Sequence, residues 1–289
     1  MLVGNRCAVA VLSLTLILGA CQPASNSAPA SNSAPAGPLE KDSSSTFDLA
    51  TAHLIDLSHP YDQETVYWPT SPSSFELDQL AYGPTPGGYF YSANAFSTPE
   101  HGGTHLDAPI HFFEGRWTTD EIPLERLIGP GVVIDVRDQA ADDRNYALTV
   151  ADVEAWEAEH GAVPEDSIVL LRTGWSDYWP DRALYLGDDT PGDASKLSFP
   201  SYGREAAEFL VKDRSVAVLG VDTASIDIGQ STDFIVHQVA NEANVAGLEN
   251  VAHLERVPPT GSWIVALPMK IKGGSGGPVR IVAMVPAGG

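Results

Sequence analysis

Short runs of β-branched and apolar residues recur along the chain with amphipathic stretches between them, and this alternation restricts the fold to the α/β class. The runs are His53-Leu54-Ile55-Asp56-Leu57, Val132 to Val136, Ile168 to Arg172, Val216 to Val221, Trp263 to Leu267 and Val279 to Val285. Several are continuously apolar, the pattern of a strand buried on both faces. Val150 to His160 reads as a helix with Thr149 and Asp152 near its start and Gly161 as its stop; Arg204 to Lys212 and Phe234 to Glu242 read as two more. Residues 82–92, rich in Gly, Pro and Tyr, and 174–202, rich in Asp, Pro and Tyr, read as long irregular connections. Connections of that length are commonly lids or walls of a site.

The N-terminal 45 residues do not belong to that pattern. Arg6, an apolar stretch from Ala8 to Leu18 and the small residues Gly19 and Ala20 precede Cys21, the layout of a signal peptide over residues 1–20. Leu18-Gly19-Ala20-Cys21 resembles the bacterial lipobox, so Cys21 is expected to be lipidated and to become the first mature residue. The apolar stretch is too short for a stable membrane span. Residues 21–45 repeat Ser-Asn-Ser-Ala-Pro-Ala and carry almost no large apolar side chain, which predicts a disordered tether. The chain is thus expected in the bacterial cell envelope on the periplasmic side, held to the membrane by its lipid alone; Gln22, in place of an aspartate after the cysteine, points to the outer membrane. Cys7 and Cys21 are the two cysteines, so no disulfide supports the remaining domain of roughly 240 residues over 46–289, and a core must. A formal charge of -22, from 38 acidic against 16 basic residues, excludes nucleic acid and anionic headgroups as partners.

Chemistry concentrates in residues 98–115, TPEHGGTHLDAPIHFFEG, where His101, His105, Asp107 and His111 fall within eleven positions. A turn through Gly102 and Gly103 lets His101 and His105 converge, and residues 105 and 107 share one face of an extended segment. Two imidazoles and a carboxylate aimed at one point suit zinc, manganese or iron and leave positions open for water and substrate. Pro109 pushes Ala108 towards extended geometry and holds His111 beside this site. His111 is therefore assigned proton transfer, since an imidazole titrates near working pH.

The run His101-Gly-Gly-Thr-His105-Leu-Asp107-Ala-Pro-Ile-His111-Phe112 resembles the HxGTHxDxPxHF signature of the putative cyclase family, which includes bacterial kynurenine formamidases and isatin hydrolases. Trp68-Pro69 resembles that family's aromatic wall, Gly220-Val-Asp-Thr-Ala-Ser-Ile-Asp227 its post-strand loop, and Gly273-Gly-Ser-Gly-Gly-Pro-Val-Arg280 its C-terminal loop and strand. The resemblance implies a mixed, partly closed β-sheet barrel with external helices, of the swivelling β/β/α type, and a homodimer. It also implies, from the formamidase branch, that His237 and Glu249 complete a two-metal site; isatin hydrolases imply one manganese held by the first three ligands. Twelve residues of continuous helix would separate His237 from Glu249 by about 18 Å, so the chain must turn between them, with Asn244 and Gly247 as candidates.

The implied activity is hydrolysis of a C–N bond in a small cyclic amide or aryl formamide, using one or two divalent ions, manganese or zinc. Trp68, Phe75 and Trp117 are the candidates for a slot that takes an aromatic substrate. Two alternatives come from other classes: a metal-dependent cyclase, dehydratase or lactonase on the same scaffold, and a metal-dependent binding lipoprotein without turnover.

Overall fold

The computed structural model describes residues 50–287. The expected signal peptide, Cys21 and tether lie outside the described residues. Among the described residues twelve strands follow in chain order: β1 His53–Asp56, β2 Glu76–Pro84, β3 Phe90–Ser97, β4 His105–Asp107, β5 Ile128–Asp135, β6 Ala147–Leu148, β7 Ile168–Arg172, β8 Ser201–Tyr202, β9 Val218–Val221, β10 Ala246–Glu249, β11 Ser262–Pro268 and β12 Gly276–Val285. The helices are α1 Arg137–Asp142, α2 Val150–His160, α3 Arg182–Leu186, α4 Arg204–Lys212 and α5 Ile235–Glu242.

The main sheet runs β1-β12-β11-β5-β7-β9-β10-β4, and β4 pairs again with β12, so seven strands close into a barrel with β1 alongside. β5, β7 and β9 are mutually parallel, whereas β4, β11 and β12 join antiparallel. Their continuous apolar sequences follow from burial on both faces. Val133, Ile168, Leu170 and Val218 point into the barrel with Leu248, Ile264 and Ile281. The alternate residues Ile134, Val169, Leu171 and Leu219 point outward and pack against Trp156 of α2, Leu210 of α4 and Ala240 of α5. Ile168 to Leu171 are fully buried, and each such side chain contributes roughly 1.5–3 kcal/mol relative to exposure.

Local signals hold at the helix ends. Thr149 accepts from Asp152 N and the Asp152 carboxylate returns to Thr149 N, a reciprocal cap that satisfies two otherwise unpaired donors, and Gly161 ends α2 at φ 89°. In α4, Ala206, Ala207, Leu210 and Val211 lie on one buried face.

Two stretches depart from the expected irregular loops. Residues 82–92 are the tip of a β-hairpin, because β2 and β3 pair antiparallel from Glu76↔Ser97 to Pro84↔Phe90. The glycines and prolines that read as loop are what its tip needs, with Gly88 at φ 83°. Residues 174–202 contain α3, capped by Asp181 through Leu184 N, and bury Tyr185, Leu186, Leu197 and Phe199 in a third core cluster. Trp68 packs against that cluster, with Phe199 edge-on to its ring at 6.3 Å.

Candidate active site

Strand β4 places two candidate ligands by alternation alone. His105 and Asp107 emerge on one face, while Leu106 turns into the barrel core. The strand lies between β10, with Glu249 opposite His105, and β12, with Gly276 opposite Asp107. Glu249 therefore meets His105 as a cross-strand pair. His101 reaches the same point through a tight turn at Gly102 and Gly103, at φ 148° and 58°. A Cβ at Gly102 would lie 2.1 Å from the Tyr67 ring and one at Gly103 2.7 Å from Tyr61, so only glycine fits at either position.

His237 arrives from the first turn of α5. Asp227 caps that helix, accepting from Val236 N at 3.0 Å and His237 N at 3.1 Å, and its Oδ2 also lies 2.6 Å from His237 Nδ1. One carboxylate thus fixes both the helix start and the ring. The chain then reverses through Asn244 at φ 58° and re-enters the barrel as β10. Gly247, the other candidate for the turn, sits inside β10 opposite Asp107.

The five groups converge. Asp107 Oδ1 is 2.6 Å from His101 Nδ1 and 3.2 Å from His105 Nε2, and its Oδ2 is 3.1 Å from His237 Nε2. Glu249 Oε1 is 3.2 Å from His237 Nε2, and Oε2 is 3.5 Å from His105 Nε2. His105 Nδ1 donates to Gly103 O at 3.0 Å, which leaves the Nε2 lone pair facing two carboxylates. Among the described residues that buried Nε2 makes no hydrogen bond. An acceptor aimed at acceptors is stable only with positive charge between them, a proton or a cation. His101, Asp107 and His111 on one side and His105, Asp107 and Glu249 on the other have ligand atoms close enough to hold an ion, with Asp107 common to both. Neutral imidazole and carboxylate at such a buried point fit a divalent cation of the zinc or manganese kind.

Electrostatics agree. Burial disfavours a charged His105, yet the Asp107 and Glu249 carboxylates outweigh it and raise the imidazole to about 9. Burial likewise opposes charge on His237, but its bonds to Asp107, Asp227 and Glu249 hold it well above the ordinary histidine value. Asp107 is held well below the usual carboxylate range by His105 and His101 despite its burial. His111 behaves oppositely. Burial pushes it down to about 4, helped by His101 and His237 against the attraction of Asp107. It stands stacked on His101, with ring centroids 3.8 Å apart, as a neutral imidazole beside the cluster. The chain positions it through a short helical turn over Pro109–His111, entered from Ala108 at φ -76° and ψ 150°.

These groups form the floor of a cavity of about 260 Å³, small beside the roughly 300–1,000 Å³ of drug-sized pockets. Trp68 lines its wall with Phe112 and Phe234, whose rings lie 5.2 Å apart. Neither Phe75 nor Trp117 is among the lining residues. Phe75 is drawn into a ring cluster with Tyr61 and Phe96, and Trp117 packs on the barrel core while its backbone N–H donates to Asn244. Phe112, Phe234 and Asp227 were not singled out from sequence. Phe112 is the last residue of the 101–112 run and Asp227 ends the quoted loop, so position in a motif was the available signal; Phe234 had none.

Comparison with known proteins finds relatives of this chain. The sequence model of a family described as Putative cyclase matches residues 55–228. The isatin hydrolase of Roseibium aggregatum is 34% identical over 207 residues, 69% of this chain and 77% of that protein. The kynurenine formamidase of Salinibacter ruber is 32% identical over 184 residues, 63% of this chain and 74% of that protein. Isatin hydrolase A from Labrenzia aggregata, solved bound to benzyl benzoate, matches at a TM-score of 0.76 and 33% identity, covering 82% of this chain and 95% of its own.

Proposed function

The chain belongs to the putative cyclase family, and on that premise we propose that it is a metal-dependent amidohydrolase cleaving the C–N bond of an isatin-like cyclic amide or an N-formylkynurenine-like aryl formamide. The observation that carries this reading is the meeting of two imidazole Nε2 atoms with Asp107 and Glu249 at the floor of an aromatic-walled cavity. The names of the relatives, isatin hydrolase and kynurenine formamidase, support the reaction class.

His101, His105, Asp107, His237 and Glu249 would hold one or two divalent cations, which would supply Lewis acidity towards water and a carbonyl. The chain does the rest. Asp227 keeps His237 in the tautomer that presents Nε2 to the cluster. Trp68, Phe112 and Phe234 cover the aromatic part of the substrate and keep bulk water out. His111, neutral at working pH, takes a proton from the attacking water and returns it to the leaving nitrogen, so the products are a carboxylate and a free amine.

Turnover of isatin and N-formylkynurenine, measured beside a lactone panel with added manganese or zinc, tests the reaction class. The expected result is amide cleavage that a chelator stops and either ion restores. Lactone opening with every amide left intact overturns it.

A homodimer is proposed as well. Leu77, Leu80, Tyr82, Phe90 and Phe96 of the hairpin are each more than half exposed, and a lone two-stranded ribbon is not self-supporting. A second copy covering it gives a sedimentation mass of two chains, and Leu80→Lys with Phe90→Asp is expected to give one; a wild-type mass of one chain refutes the dimer.

A further inference from the structure

The segment from Gly273 into the start of β12 lies against His101, and its Ser275 has a bonding pattern the mechanism above does not use. Ser275 Oγ donates to Glu100 Oε2 at 2.7 Å, and Ser275 N donates to the same oxygen at 3.0 Å. A hydroxyl has one proton. With that proton on the carboxylate, the contact of 2.9 Å between Ser275 Oγ and His101 Nε2 has one consistent reading, in which the ring N–H donates and the serine oxygen accepts. In a neutral ring Nδ1 is then a lone pair 2.6 Å from Asp107 Oδ1, an approach that needs a proton or a cation between the two.

The surroundings hold this arrangement in place. A Cβ on Gly274 would stand 2.8 Å from Glu100 Oε1, and one on Gly276 would stand 2.6 Å from His101 Cε1, so glycine on either side lets the loop approach both partners. Ala108 N donates to Ser275 O at 2.8 Å, and Thr119 N donates to Gly274 O at 2.9 Å. The serine is therefore fixed by its backbone beside the residue that follows Asp107.

We propose that Glu100 and Ser275 are positioning residues that lock His101 as its Nε2–H tautomer and so present Nδ1 to a divalent cation at Asp107. The inference rests on the metal-centre reading above. Support of this kind behind a ligating histidine is worth roughly 10–100-fold in metal affinity. Glu100 immediately precedes the ligand and Ser275 lies 174 residues later, so the fold alone brings the relay together.

The test uses the full chain, with manganese affinity read by electron paramagnetic resonance and the His101 tautomer by ring ¹⁵N shifts in the zinc-loaded protein. Ser275→Ala is expected to bind manganese 10- to 100-fold more weakly and to lose the single Nε2–H signature. Glu100→Gln, whose amide carbonyl still accepts from the serine, is expected to show the smaller loss. Circular dichroism identifies a variant that fails to fold, and the wild-type tautomer decides the matter without any variant. A wild-type His101 protonated on Nδ1, or both variants matching wild type in affinity and tautomer, overturns the proposal. A wild type that binds neither ion overturns the metal-centre reading itself, which is a different result.

Discussion

Asp107→Asn is expected to remove the bound divalent ion and to lower amide turnover by at least about 10³-fold, the rate equivalent of several kcal/mol of lost Lewis-acid stabilisation. Asp107 is 1% exposed and is the carboxylate shared by both candidate ligand groups, so one change weakens every arrangement of ions the cluster can hold. Asparagine keeps the volume and removes the charge. The variant leaves His101, His105 and His237 without the anion each of them faces within 3.2 Å. Breaking a buried pair by removing one partner costs roughly 3–5 kcal/mol, so a lower melting temperature is expected as well. Elemental analysis of the purified variant beside its kcat checks this. Full ion content with full turnover would place the reaction elsewhere.

His111→Ala separates proton transfer from ion binding. The expected outcome is a fall in kcat of roughly 10²–10⁴-fold, the usual worth of a positioned acid or base, with ion content and fold unchanged. The pH dependence carries a sign. Burial first, and the neighbouring imidazoles second, depress His111 to about 4, so the native protein refuses a proton that the unfolded chain accepts near 6.5. That contribution to stability is complete above about 6.5 and is lost as pH falls towards about 4, and the alanine variant lacks this part of the acid loss. Urea unfolding at neutral and acidic pH, set against the rate profile, reads both. Loss of the ion along with activity would make His111 a ligand instead of a shuttle.

Much of the barrel was legible in the sequence, because β5, β7 and β9 are runs apolar on both faces and α2 carries its own caps. The cluster was legible for a related reason. His101, His105, Asp107 and His111 lie so close in the chain that a glycine turn and one strand alternation suffice to gather them. What failed depended on partners distant in sequence. β4 and β10 are three and four residues long and are held by pairing with each other and with β12 and β9, partners far away in the chain. The hairpin hid behind turn residues at its own tip. Phe75 and Trp117 differ from Trp68 only in where the fold turns their rings, which no local pattern encodes.

β4 has a consequence beyond catalysis. Its three residues bridge β10 and β12, so the staple that shuts the barrel is also the strand that carries His105 and Asp107. Binding of an ion by His105 and Asp107 is therefore expected to favour the closed barrel. An ion at 100 times its dissociation constant would add about 2.7 kcal/mol to the closed state. Its withdrawal should be felt first as faster amide exchange at residues 105–107, 247–249 and 276–278, before the helices outside the barrel register any change.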